Sequence, residues 1–264
     1  MQSSDHSRTT MRSKYVRIAA FVFLGAVLST LLGFVVYRQH HAHCKKVEIL
    51  LKDPGEYQMF SEENVSEWIA EVCGDVVGKR LDSIPLERIR QRLLSETMVK
   101  SAEVFSTIDG RCRIIVDQRI PVMRVIESSG NSYYLDDKGF PMEVRSSYFR
   151  LPLYTGDIAG AVYHKSVFES GNEVLKSLFT LNEAIRGSEF WSAQTEHLAV
   201  DRNGEILLVP RVGNQRIILG QSRNYPEKLN RLKSFYNHVM KHGDINLYAA
   251  IDARFEGQIV GIKN

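Results

Sequence analysis

Hydrophobic and polar positions divide this chain into three regimes. The first is unbroken: Ile18 to Tyr37 carries no charge, and Arg17 and Arg38 bracket it. At about 1.5 Å of rise per residue such a run spans about 30 Å, the thickness of a bilayer's hydrocarbon core. It predicts one membrane helix over 18–37 behind a polar cytoplasmic tail over 1–17. A buried core helix would carry a polar stripe, and a cleaved leader would be shorter and end in small residues. Tyr37-Arg38-Gln39-His40 is a poor cleavage site, and Arg38 to Lys46 reads as a short juxtamembrane link. The second regime mixes periods of 2 and 3.6. Val47 to Lys52 reads as a strand closed by Pro54-Gly55. A helix follows, with Ser61 as cap, Phe60 and Val65 as a staple, and Val65, Trp68, Ile69, Val72 and Cys73 on one face. A second helix starts near Ser83, with Pro85 in its first turn and Leu86, Ile89, Leu93 and Leu94 inward. Val99 to Ile108 and Arg111 to Arg119 form a hairpin around Asp109-Gly110, with Cys112, Ile114 and Val116 on one face. The order is strand, helix, helix, strand, strand, and the two helices are expected to cover a three-stranded sheet.

Beyond Pro121 the pattern becomes β-rich. Short strands are predicted at Val122 to Glu127, Ser132 to Leu135, His197 to Val200, Glu205 to Pro210 and Arg216 to Leu219, and Leu151-Pro152-Leu153 runs into Gly156. Two helices interrupt them, Glu169 to Arg186 and Pro226 to Lys241. Leu247 to Phe255 alternates, with Leu247, Ala249, Ile251, Ala253 and Phe255 on one face and Tyr248, Asp252 and Arg254 on the other. Gly257 reads as a bulge inside that closing strand, which then continues through Gln258 to Ile262. A strand so placed is expected to leave one edge of N–H and C=O groups ready to pair with another chain.

Charge refines the picture. Arg8, Arg12, Lys14 and Arg17 outweigh Arg38, Lys45 and Lys46 on the far flank, which favours an amino terminus inside and the bulk outside the cytoplasm. Gly25, Ser29 and Gly33 recur every fourth residue, a spacing that suits either a partner helix or plain lipid contact. A net charge of +3 gives no argument for nucleic acid. Three cysteines, Cys44, Cys73 and Cys112, are too few for a disulfide framework. Cys73 and Cys112 read as two thiols facing one core rather than a disulfide.

Several stretches together resemble the bacterial FtsQ/DivIB family. Val99 to Val104 leading to Asp117-Gln118-Arg119-Ile120-Pro121 is similar to the family's last two POTRA strands and exit. So are Tyr134 to Phe140, Leu151-Pro152-Leu153-Tyr154-Thr155-Gly156, and Leu219-Gly220 with Lys228 and Arg231-Leu232. Tyr248 to Val260 resembles the closing strand most specifically; Thr97-Met98, where many members carry Pro-Trp, departs from the pattern. The resemblance implies an α+β fold: a single membrane helix, a POTRA domain over 45–121 and a β domain with two helices over 122–264. It implies a non-enzymatic, type II division protein of the bacterial cytoplasmic membrane at the septum. Its partners would be FtsB-like and FtsL-like membrane proteins, with other division proteins reached through the POTRA part. The family docks FtsB on its closing strand, which points to Arg254, Phe255, Glu256, Gln258 and Val260. For Arg254 the alternatives are a fork on an acidic partner side chain or a solvated charge; for Phe255 they are partner contact or domain core. Another POTRA-type envelope assembly factor is the competing reading, although those chains repeat the POTRA unit.

Chemistry is sparse. There is no G-x-S-x-G, H-E-x-x-H, P-loop or G-x-G-x-x-G. Thr97 to Lys100 has nucleophile-to-lysine spacing without support, and Asp136-Asp137 reads as turn chemistry. His40, His41, His43 and Cys44 lack the second ligand pair of a zinc site. No catalytic residue, cofactor or metal is expected.

Overall fold

The computed structural model describes residues 21–31, 33, 43–52, 55–145, 148–221, 224–242 and 245–263. Residues 21–31 are helical with outward apolar side chains. Among the described residues no helix is long and apolar enough to cross a membrane. The tail 1–17 and the remainder of the 18–37 run, residue 33 apart, lie outside them, as do His40 and His41. The chain divides into two units. The first contains Glu62–Leu93, Ala102–Val116 and the residues up to Leu50. The second contains Leu51–Ser61, Leu94–Ser101 and everything from Asp117.

The first unit is built as the periodicity predicts. Its elements are β1 (Lys46–Leu51), α1 (Glu62–Cys73), a 3-10 turn (Leu81–Ser83), α2 (Leu86–Leu94), β2 (Val99–Ser106) and β3 (Arg111–Gln118), of which residues 51, 94, 99–101 and 117–118 group with the second unit. The sheet order is β1-β3-β2. Cys112, Ile114 and Val116 of β3, Val65, Trp68 and Ile69 of α1, and Ile89 and Leu93 of α2 are all buried. On the wet side Glu48 receives Arg111 at 2.6 Å and Arg113 at 3.0 Å. Two cysteine expectations are corrected. Cys73 is only half-buried, because it sits in the last turn of α1, just before Gly74 (φ 65°) ends the helix. Cys44, read as part of a juxtamembrane link, is 1% exposed. Its N–H donates to the Lys79 carbonyl and its carbonyl accepts from Gly78, while His43 bridges to Arg80. All three thiols are free.

The second unit holds β4 (Pro121–Glu127), β5 (Ser132–Asp136), β6 (Pro141–Glu143), β7 (Leu153–Gly156), α3 (Glu173–Arg186), α4 (Glu189–Gln194), β8 (Thr195–Val200), β9 (Ile206–Pro210), β10 (Arg216–Gly220), α5 (Tyr225–His242), a 3-10 turn (Ile245–Leu247), β11 (Tyr248–Asp252) and β12 (Val260–Lys263). They make one nine-stranded sheet in the order β12-β11-β10-β9-β8-β7-β4-β5-β6. Parallel neighbours cannot be joined by a tight turn and need a crossover. That is why α3 and α4 lie between the parallel pair β7 and β8, and α5 between the parallel pair β10 and β11. Leu178, Leu181, Leu229, Leu232 and Tyr236 of these helices share one core with Tyr154, Leu198, Leu208, Ile217 and Ile251 of the sheet. Two polar tips inside it are paired: the Tyr154 hydroxyl donates to Asn182 at 3.0 Å and the Trp191 indole to the Leu229 carbonyl at 2.9 Å.

Among the described residues the region has three helices rather than the expected two. α4 is a short one, capped by Ser188, whose side chain accepts from the Trp191 N–H. It is missed from the sequence because six residues give too little of a 3.6-residue period. Strand β6 is missed for a similar reason, having three residues and a proline. The Asp136 turn behaves as expected. Its carboxylate is fully buried and accepts from the backbone N–H groups of Lys138 and Phe140 and from Arg119 at 2.6 Å.

Candidate functional site

The end of the chain is where expectation and structure part most usefully. Leu247 to Ile262 does not run as one strand with a bulge. β11 stops at Asp252, the chain reverses through 253–259, and β12 returns antiparallel to it. Asp252 starts the reversal: its Oδ1 accepts the Arg254 N–H at 3.0 Å, two residues on, as in an Asx turn. Gly257 (φ 74°) lies in this turn, in a conformation that favours glycine, not in a strand. The Ala253 N–H still donates to the Ile218 carbonyl, so the residue after β11 stays attached to β10.

The consequence for the edge is specific. β11 is enclosed, pairing with β10 on one side and β12 on the other. β12 stands at the margin of the nine-stranded sheet. Its register sets Val260 against Asp252, Gly261 against Ile251 and Ile262 against Ala250. Val260 and Ile262 are 38% and 46% exposed, and Leu247 and Phe255 are exposed as well. A strand margin flanked by uncovered branched and aromatic side chains has the makings of a β-augmentation site.

Of the five expected site residues, Arg254, Phe255, Glu256 and Gln258 lie in the hairpin turn and Val260 opens the edge strand. Arg254 is not a free reader of a partner. Its Nε and Nη2 fork the Asp252 carboxylate at 3.0 and 2.7 Å, and its Nη1 donates to Glu205 at 2.9 Å. Asp252 is 4% exposed, and the Arg254 hydrogen bonds hold its carboxyl below the usual range although burial opposes this. Gly220 (φ 67°) makes room beneath: a Cβ there would lie 2.8 Å from Arg254 Cγ. Phe255 is not core; it is 47% exposed.

Three further residues carry the hairpin and were not singled out as site residues from the sequence. Lys228 is buried and donates to the Leu219 carbonyl at 2.6 Å, closing the end of β10; burial pushes its pKa down. Tyr248 meets Phe235 of α5 edge-on at 5.5 Å and covers Gly261. Ile262 continues the apolar margin of Val260. The local sequence is compatible with this arrangement but does not select it: Asp252 permits an Asx turn, and the branched pair beyond Gly257 suits a bulged strand as well as a returning one. Among the described residues no group of histidine, cysteine and carboxylate side chains is placed to hold a metal.

Comparison with known proteins fits this geometry. Residues 42–117 match a family model described as a POTRA-like domain. A cell division protein FtsQ from Rhodothermus marinus is 26% identical over 177 residues, which cover 65% of this chain and 63% of that protein, less than two thirds of its length. Residues 120–262, which contain the whole nine-stranded sheet except the last residue of β12, match the family model described as FtsQ/DivIB, C-terminal related. This chain therefore belongs to the FtsQ/DivIB family.

Proposed function

We propose that this chain is a non-catalytic scaffold of bacterial cell division that recruits FtsB-like and FtsL-like membrane proteins by accepting a strand along β12. Family membership supports the division role. The observation that carries the docking mode is the position of Val260–Lys263 at the sheet margin, with Val260 and Ile262 exposed along it and Phe255 and Leu247 exposed in the turns that precede β12 and β11. Main-chain bonds along the edge would supply affinity, and these side chains selectivity. The uncharged run Ile18 to Tyr37 would anchor the protein in the cytoplasmic membrane as a type II, single-pass protein, with the POTRA part over 45–121 and the β domain over 122–264 outside the cytoplasm at the septum. In this reading Phe255, Glu256, Gln258 and Val260 face the partner, whereas Arg254 acts one step back by holding the turn.

The test is co-purification of the full-length chain, in detergent, with the FtsB and FtsL of its own cell. Ile262→Asp puts a charge on an already exposed position, and Val260→Pro removes a strand donor. Both are expected to weaken capture at least tenfold while circular dichroism and the melting curve show a folded β domain. Undiminished capture by folded forms of both variants would rule out the edge.

A further inference from the structure

A small cavity in the second unit, away from the closing hairpin, combines two cationic side chains and an imidazole with an unusual backbone. Its walls are Leu94, Thr97, Val99, Lys100, Arg119, Phe140, Pro141 and His164, and its volume is about 70 Å³. A cavity needs only about 10–15 Å³ to admit one water, so this one has room for a compact charged group. Lys100, Arg119 and His164 supply nitrogen donors, and no carboxylate lines the cavity.

His164 is the only non-glycine residue with positive φ (63°) among the described residues. It occupies the third position of a turn closed by the Lys165 N–H on the Val162 carbonyl, where a positive φ usually calls for glycine. A side chain kept there at a conformational cost points to a role for that side chain. The loop that carries it is tied down. Ser166 Oγ donates to the Lys138 carbonyl at 2.8 Å and the Val167 N–H to the Gly139 carbonyl at 2.9 Å. A Cβ on Gly139 would lie 2.7 Å from a Val167 methyl, so the loop and the Asp136 turn are in close contact.

Arg119 is held in place yet not exhausted. Its Nη1 engages Asp136 at 2.6 Å, and its guanidinium lies 4.2 Å from the Phe140 ring centroid. Asp136 is fully committed, taking Arg119 on one oxygen and two backbone N–H groups on the other. A guanidinium has five N–H donors, so Arg119 keeps several for another acceptor. Thr97 Oγ1 accepts the Glu143 N–H at 3.1 Å, which leaves its own proton free to donate.

We propose that this cavity binds a compact oxyanion, a carboxylate or a phosphate group, seated between Arg119, Thr97, Lys100 and His164. The fork of Arg119 suits two oxygens in one plane, Lys100 adds charge from the rim, and an imidazole N–H closes the remaining side. The site is independent of docking at β12, so the two readings stand or fall separately.

The experiment uses the full chain in detergent micelles with histidines labelled for NMR. Sodium acetate and inorganic phosphate are titrated in separate arms against sodium chloride at matched ionic strength. A saturable displacement of the His164 ring signals by either oxyanion, absent with chloride, is expected; the tighter arm identifies carboxylate or phosphate as the group. Lys100→Gln should weaken it at least fivefold. His164→Gly, which suits the positive φ, should raise thermal stability and abolish saturable binding, read from the labelled Lys100 ammonium. Linear, non-saturating shifts, equal shifts with chloride, or an unchanged affinity in Lys100→Gln would each overturn the proposal.

Discussion

Gly261 lies directly beneath the ring of Tyr248, so close that a Cβ on Gly261 would collide with the ring's Cδ1 and Cε1. The contact fastens β12 to the rest of the unit. Tyr248 in turn meets Phe235 of α5, and Ile259 packs against the same core. A glycine here has no positive φ to justify it; what it supplies is space for an aromatic side chain from the neighbouring strand. The sheet margin is thus shaped by a missing side chain as much as by the branched residues that flank it.

Gly261→Val should therefore force Tyr248 off its seat. Overpacking of this kind costs about 1–3 kcal/mol. Urea unfolding of the full chain should show that loss, and Gly261→Val combined with Tyr248→Ala should lose less than the sum of the two single variants, since the collision is gone. Additive losses would mean that ring and glycine do not meet.

Much of the fold was legible because both periods are clean. β3 buries Cys112, Ile114 and Val116 in strict alternation, and the Asp136 turn announces itself through Asp-Asp-Lys-Gly. The closing hairpin was not. Phe255, Ile259 and Val260 are all good strand formers, so a seven-residue reversal looked like one interrupted strand. Local propensity cannot distinguish a bulge from a turn when the deciding interactions, Arg254 on Glu205 and Gly220 under Arg254, come from residues 34 to 49 positions away. Cys44 was missed for the same kind of reason: only backbone bonds to Gly78 and Lys79 bring it inside.

The Arg254–Asp252 fork leads to a second prediction. Arg254→Ala leaves a nearly buried carboxylate without its main donor, whereas Asp252→Asn with Arg254→Ala removes both the charge and its partner. The melting temperature should fall more for Arg254→Ala alone than for the double variant. Arg254→Lys should recover only part of the loss, because an ammonium cannot fork Asp252 and reach Glu205 at once. If docking depends on the shape of this turn, partner capture should follow the same ranking.

The three thiols should differ sharply in reactivity. Burial, reinforced by the neighbouring Cys44 and Cys73, pushes the Cys112 thiol up to about 11, and Cys44 is 1% exposed. Only the thiolate attacks alkylating reagents, so neither should react in the folded protein near pH 8. Cys73, half-buried at the end of α1, should take up iodoacetamide first. Mass spectrometry after a short pulse should find modification concentrated at Cys73, with Cys44 and Cys112 joining only in urea. Early labelling of Cys44 would show that the first strand opens on its own.

A titration in the middle of the large sheet gives the last prediction. His197 on β8 shares a 2.7 Å hydrogen bond with Thr155 on the neighbouring β7. Burial lowers its pKa from the ordinary 6.5, and Glu196 opposes this only in part. The folded protein therefore binds the proton less readily than the unfolded chain. As pH falls below about 6.5 the unfolded state protonates first, so stability declines until His197 in the folded state is protonated as well, and then levels off. Above that window the residue contributes no slope. Urea midpoints measured between pH 7.5 and 5 should show the decline in the wild type, and His197→Gln, which keeps a polar group beside Thr155 without the titration, should flatten it. An identical slope in the variant would assign the pH dependence to other groups.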